Sequence, residues 1–289
     1  MTRASAKPGA AATLPFVRNP LVDVAVLERE GVPERLELSA YSAIRGFDKV
    51  VLARDEDPAF DTALRMLSDP DAMPWHARPD TVSALWAAGL LVLPQERVAL
   101  EVPEPDAEIA SAFRARGFAE LPPCVAPAMR TALVRHYARS IEAGRLVRGE
   151  DWDGRYTAHN DPAGRIVQKM LLPLAAAIVG APIKPSYTFA SLYCGGADLP
   201  VHRDRPQCEY TLSLMIDHGA TRGGAVAPWP ILLYPTEDRP PEECRAEQGG
   251  GLLFRGRDIP HGRRPLPADE TCWVMLLHYV DADFDGSLA

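Results

Sequence analysis

The strongest constraint on how this chain folds is a change of texture after Pro185. From there on, short strand-like runs recur at near-regular spacing, at 187–193, which is rich in aromatic and β-branched residues, and at 199–205, 210–216, 231–234, 251–254 and 272–280. Runs of that composition, punctuated by glycine and proline, read as β-strands. Two amphipathic helices are expected just upstream, at about 127–143 and 161–179, the second ended by Gly180. Many short strands preceded by helices predict an α+β fold, a double-sheet jelly roll (double-stranded β-helix) with supporting helices on one face.

Within that strand-rich part, one stretch carries chemistry: Leu199-Pro200-Val201-His202-Arg203-Asp204-Arg205. Side chains on a strand repeat with period 2, so His202 and Asp204 project from the same face and can grip one ion from adjacent corners. His261, far downstream behind Phe254 and Arg255, is the obvious third ligand. Two imidazoles and one carboxylate with coordination positions left open form the facial triad suited to non-haem Fe(II).

Composition narrows the function classes. A net charge of −8 argues against a general nucleic-acid or membrane-surface role, since both need a basic face. No apolar run reaches the roughly 18 residues of a membrane span. The first eight residues have a basic start without an apolar stretch behind it, so a short disordered arm, not a secretory signal, is expected. Five cysteines without a CxxC pair read as reduced thiols of a cytoplasmic protein and not as a structural zinc site. There is no phosphate-binding glycine loop and no GxSxG elbow; Gly249-Gly250-Gly251 enters a strand with no helix behind it.

Three segments are expected: an arm over residues 1–30, a small N-terminal unit over 31–105, and the jelly-roll domain over 106–289, with the acidic, proline-containing stretch 101–108 as the linker. In the small unit, 48–52 reads as a strand, 59–67 as a helix stopped before Pro70, and 82–88 as a helix capped by Asp80 or Thr81 and closed by Gly89. A strand at 90–93 follows and could pair with the earlier one. This outline faintly resembles the peptide-binding winged helix of enzymes that modify ribosomally made peptides, which would imply peptide binding; a purely stabilising helical cap gives the same pattern.

The run Tyr193-x-x-Gly196, His202-x-Asp204, Thr211-x-Ser213-x-Met215, then Gly251-Leu252-Leu253-Phe254, His261 and Pro265 resembles the Fe(II)/2-oxoglutarate oxygenase superfamily, in its prolyl-hydroxylase-like branch. The resemblance covers about residues 113–289. It implies that His202, Asp204 and His261 hold Fe(II) and carry catalysis, that 2-oxoglutarate and O₂ are cosubstrates with ascorbate as a reductant, and that the reaction hydroxylates an unactivated C–H. It also implies a small-molecule, amino-acid or peptide substrate.

The cosubstrate anchor departs from the family pattern. An Arg or Lys is usual about ten residues past the distal His, and here that position is Thr271. A buried carboxylate needs a charged or multiply bonding partner, and the arginine fork fits it best. Arg263 and Arg264 are the nearest candidates, Arg263 on the inward parity of His261; Arg255 and Arg257 lie close by. Tyr193, Thr211 and Thr271 offer hydroxyls. Trp152, Tyr156, His159 and Asn160, read as a loop between the two helices, are candidates for the substrate entrance. His278 and Trp273 have opposite parity on the last strand, so one of them faces the cavity, and a core role for His278 is the plainer reading. The missing charge at Thr271 leaves two other classes open: a non-catalytic jelly roll that binds a small molecule or peptide, and an iron oxygenase with a different cosubstrate.

Overall fold

Two antiparallel sheets face one another and carry the site between them. In the computed structural model, the described residues are 16–22, 34–38, 50–69, 71–74, 76–98, 102–149, 154–236 and 238–288. The elements in chain order are β1 (Val17–Arg18), β2 (Arg35–Glu37), β3 (Val51–Ala53), α1 (Phe60–Ser68), α2 (Pro79–Ala87), β4 (Leu91–Val92), α3 (Pro94–Val98), α4 (Ala107–Arg116), β5 (Phe118–Leu121), α5 (Pro127–Glu142), β6 (Arg155–His159), α6 (Pro162–Val179), β7 (Ile183–Cys194), β8 (Leu199–His202), β9 (Tyr210–Ala220), β10 (Ile231–Leu233), β11 (Glu242–Cys244), β12 (Gly251–Phe254), β13 (His261–Arg263) and β14 (Glu270–Asp281).

The larger sheet has the order β5-β12-β9-β14-β7-β6 and the smaller one β11-β10-β13-β8. Every pairing within them is antiparallel. This is the expected jelly roll. β14 is buried along most of its length because one of its faces meets the smaller sheet and the other meets helices, which is why its sequence is nearly continuously apolar. On the helical side, Phe113 of α4, Leu133 and Tyr137 of α5 and Ile178 of α6 pack with Leu212, Trp273 and Met275. Between the sheets, Tyr193, Met215, Trp229, Cys272 and Val274 form a second cluster.

α6 ends where the sequence says it should. Asp161 caps α6, its carboxylate accepting from the Ala163 and Gly164 amides, and Gly180 leaves it in the left-handed region at φ +78°. α6 is long and apolar enough to cross a membrane by length and composition, contrary to the expectation that no such run exists, yet 61% of it is buried in this fold. As the layer packed on β7, it is apolar for core reasons.

Three expectations about organisation need correction. Asp106, placed in the linker, caps α4 by accepting from the Glu108 amide, so the helix begins inside the stretch read as linker. Residues 17–18, placed in the arm, form β1 and pair with β4, whereas β3 pairs with β2, so the expected pairing of 90–93 with 48–52 is not made. Short apolar strands carry no signal for a distant partner. α2 starts at Pro79 without a side-chain cap; the Asp80 carboxylate accepts from the adjacent Thr81 amide instead. The rest of the arm (1–15 and 23–30) and residues 39–49 lie outside the described residues.

Candidate metal centre and its cavity

β8 and β13 are neighbours in the smaller sheet, and His202 stands opposite His261 in their register. The two imidazole rings lie 4.4 Å apart, centre to centre. Asp204 follows just past the end of β8, held by its amide donating to the Gly256 carbonyl. Its Oδ1 is 3.6 Å from His202 Nε2 and 3.6 Å from His261 Nε2, so the three candidate ligand atoms converge on one point.

The protons around this point are arranged for a cation. His202 Nδ1 lies 2.9 Å from the Pro200 carbonyl and His261 Nδ1 3.0 Å from the Ile259 carbonyl. A carbonyl only accepts, so in both rings Nδ1 is the donor, and in the neutral ring Nε2 is the nitrogen that offers a lone pair inward. On the other side of the carboxylate, Thr211 Oγ1 donates to Asp204 Oδ2 at 2.7 Å. His278 Nδ1 sits 3.0 Å from the same hydroxyl, whose proton is already given to Asp204, so His278 donates to it. The relay His278 to Thr211 to Asp204 fixes Oδ2 and leaves Oδ1 for the ion.

Electrostatics favour an ionised Asp204 and neutral His261 and His278, while the Asp204 hydrogen bond raises His202. Burial pushes the Asp204 carboxyl up, but the His202 hydrogen bond, the neighbouring His261 and His278 and the Thr211 hydroxyl outweigh it and hold the group at about 2. Burial lowers His261, and deep burial takes His278 down to about 4, so both are neutral at pH 7. A second grouping, Asp204 with Cys208 and His278, also lies within ligand distance. Burial pushes the Cys208 thiol up to about 12, and the thiol contacts the Tyr187 hydroxyl at 3.0 Å. A protonated thiol is a poor ligand, which leaves His202, Asp204 and His261 as the set that fits a divalent metal.

The triad opens into a cavity of about 400 Å³ between the sheets. Arg263, Tyr193 and Thr211 line it, as expected. Arg263 is buried; it donates to the Trp229 carbonyl at 2.7 Å and lies 3.5 Å from Ser213 Oγ, with its guanidinium 4.7 Å from the Trp229 ring centre. Two expected cosubstrate residues are elsewhere. Thr271 stands opposite Cys194 and on the parity of Trp273, which packs in the helical layer, so it points away from the cavity. Arg264 is exposed and pairs with Glu243. The residue after Thr271, Cys272, faces inward, and the Arg263 charge acts on its thiol. The cation therefore arrives from β13 near the wall where the expected β14 residue would stand.

The region read as an entrance loop contains the edge strand β6. His159 lines the cavity mouth, its ring 5.0 Å from that of Tyr187 and 6.3 Å from that of Phe189. Tyr156 is on the opposite parity, shared with Ala158 of the helical core, and so leaves the site. Asn160 serves the backbone, its Oδ1 accepting from the Thr188 amide. Trp152 lies outside the described residues. Arg155 was missed: it faces Tyr193 in the register, is 4% exposed, and donates to the Tyr193 hydroxyl at 2.9 Å. Its only sequence signal was the inward parity it shares with His159.

Fold and candidate triad are now on the page: a double-stranded β-helix, with His202, Asp204 and His261 gathered at its mouth. Among solved structures, the chain is similar to the non-haem α-ketoglutarate-dependent epimerase SnoN from nogalamycin biosynthesis, at 13% identity and a TM-score of 0.50 over 61% of this chain and 82% of that one. It is also similar to a Pseudomonas putida prolyl-4-hydroxylase (17%, TM-score 0.48, 60% and 97%) and to a 2OG-Fe(II) oxygenase family oxidoreductase from Burkholderia pseudomallei (16%, TM-score 0.47, 65% and 97%). No protein-family model and no curated protein matches the sequence.

Proposed function

We propose that the protein is a non-haem Fe(II)/2-oxoglutarate-dependent dioxygenase that hydroxylates an unactivated C–H bond of an amino-acid-derived or peptide substrate. The overall reaction balances as 2-oxoglutarate, O₂ and substrate giving succinate, CO₂ and hydroxylated substrate. The observation that carries this reading is the presence, in one cavity, of the metal triad and the buried Arg263 guanidinium, whose hydrogen bonds go to neutral acceptors. Burying a cation without a counter-charge is costly. A carboxylate reaching in from the metal would relieve that cost with charge-assisted bonds.

Fe(II) bound with a 2-oxo acid supplies the oxidising power for attack on a C–H bond. The chain's residues would do the rest. His202, Asp204 and His261 hold one face of the ion, while Thr211 and His278 orient Asp204. Arg263 receives the far carboxylate of the cosubstrate, with Tyr193 facing it from β7 of the larger sheet. Trp229, Val274 and Leu276 keep that end of the cavity apolar. Arg263 also answers the objection raised by Thr271, because the charge missing from β14 is supplied by β13.

The test is calorimetric titration of the Mn(II)-loaded protein with 2-oxoglutarate without oxygen, followed by Fe(II)-dependent succinate formation in air. Binding that requires the metal is expected; no binding at millimolar cosubstrate overturns the reading.

A further inference from the structure

The cavity is basic in an acidic chain. The protein carries a net charge of −8, yet Arg155, Arg203, Arg205 and Arg263 line this cavity against one carboxylate, Asp204, among the described residues. Three of these arginines are engaged. Arg155 donates to the Tyr193 hydroxyl, Arg203 to the Asp258 carbonyl at 3.2 Å, and Arg263 to the Trp229 carbonyl. Arg205 is exposed, and among the described residues its guanidinium has neither a hydrogen bond nor an ion pair.

A short turn fixes where Arg205 stands. The Cys208 amide donates to the Arg205 carbonyl at 2.9 Å, and Pro206 at the second position sets the backbone of this turn. The turn is fastened to β7 twice: Ser186 Oγ donates to the Gln207 carbonyl at 2.6 Å, and Cys208 Sγ lies 3.0 Å from the Tyr187 hydroxyl. Arg205 therefore stands beside Tyr187, and its charge opposes the rise that burial imposes on the Tyr187 hydroxyl.

From Tyr187 an apolar wall runs along the cavity. The Tyr187 ring lies 4.5 Å from that of His278, which holds Thr211 and through it Asp204, so the wall adjoins the candidate triad. Phe189 is two residues further on the same face of β7, about 7 Å along the strand. It stands opposite Leu276 in the register, and both side chains are only half-buried. Exposed His159 completes the wall, its ring 5.0 Å from that of Tyr187. An uncommitted guanidinium suits the two oxygens of a carboxylate, and the apolar surface one step away suits a body attached to it.

We propose that the substrate is a small organic carboxylate with a flat or apolar body, its acid received by Arg205 and its body laid against Tyr187, Phe189 and Leu276, with His159 at the rim. The proposal rests on the oxygenase reading for the reaction that follows. The acid-binding position is separate from the metal ligands and from Arg263.

The experiment uses the full chain with Mn(II) and saturating 2-oxoglutarate under nitrogen, titrated in parallel with phenylacetate and its neutral isostere phenylacetamide. The acid is expected to bind about ten-fold more tightly. Arg205→Gln, at an exposed position, should bring the two within about two-fold, and Arg205→Lys should retain part of the preference. His159→Ala should weaken both probes alike, by about two- to ten-fold. Equal binding of acid and amide by the unaltered protein overturns the proposal. So does a preference that survives Arg205→Gln, since the acid would then be held by the metal or by another arginine. Binding of both probes unchanged in His159→Ala overturns the placement of the body.

If 2-oxoglutarate does not bind at all, the oxygenase reading fails by itself. The same two probes on the Mn(II)-only protein and its Arg205→Gln variant still decide the acid-binding position: a preference lost in the variant supports it, and a preference kept overturns it.

Discussion

A Cβ placed on Gly256 would lie 2.2 Å from Asp204 Oδ2 and 2.6 Å from Thr211 Oγ1. The carboxylate of the candidate triad therefore rests directly on the backbone at Gly256, whose amide and carbonyl also join the Glu209 carbonyl and the Asp204 amide. Even the smallest side chain must push Asp204 out of its position. Gly256→Ala is expected to lower Mn(II) or Fe(II) affinity by about 10- to 100-fold while the fold survives, as read by metal titration beside circular dichroism.

Removal of an imidazole should abolish the metal's effect on stability. At a metal concentration 100 times its Kd, the unaltered protein should gain about 2.7 kcal/mol. His202→Ala and His261→Ala should each reduce that gain to near zero in thermal melts with and without Mn(II). Stabilisation retained in both variants would reject these ligands.

Thr211→Val removes the hydroxyl between Asp204 and His278 at nearly constant volume. The buried His278 Nδ1 donor is left without its partner, at a cost of about 1–3 kcal/mol. Asp204 also loses the bond that fixes Oδ2. Stability and metal affinity should fall together, whereas Thr211→Ser should restore most of both.

Arg263→Met exchanges a buried cation for an apolar chain. Loss of charge-assisted bonds worth about 1.5–3 kcal/mol predicts 2-oxoglutarate binding weaker by roughly 10- to 150-fold. Metal affinity should hold, since Arg263 lies outside the triad. Parallel titrations with Mn(II) and with 2-oxoglutarate separate the two effects.

Asp161 offers a pH test away from the metal. Burial pushes its carboxyl up, but the His136 hydrogen bond and charge, the Gly164 amide and the Tyr137 hydroxyl together hold it below the usual carboxylate value. A depressed folded value stabilises the fold above the unfolded pKa near 3.9 and loses that contribution as pH falls through the folded value. Asp161→Ala should cost about 1–2 kcal/mol at pH 7 through the lost cap, and denaturant melts should show the gap shrinking below about pH 4.

The convergence of the candidate triad was legible because strand geometry constrains it. His202 and Asp204 two apart must share a face, and His261 needed only a neighbouring strand. β14 and α6 were legible because long apolar runs have few alternatives. The failures share one cause, which is dependence on partners distant in sequence. β6 reads Arg-Tyr-Thr-Ala-His, too polar to announce a strand, and it exists because β7 offers its edge. Arg155 was lost with it, and Tyr156 was credited with a place that parity gives to Arg155 and His159. Counting ten residues past His261 led to Thr271, while the buried cation that lines the cavity, Arg263, stands on a different strand. Gly256, lying between two arginines in the segment before His261, had no local signature; only the folded proximity of Asp204 explains it.

The backbone carbonyls of Pro200 and Ile259 orient both imidazoles, and the His202 side chain is 40% open to solvent. An orientation set by the backbone predicts metal loading that is separate from folding. The chain should mature as a stable apoprotein and take up its ion last, through the His202 side, by simple exchange with the surrounding metal pool. Chelation should then switch the centre off and on without unfolding, so that metal supply, and not synthesis of new protein, would set how much of it is competent at any moment.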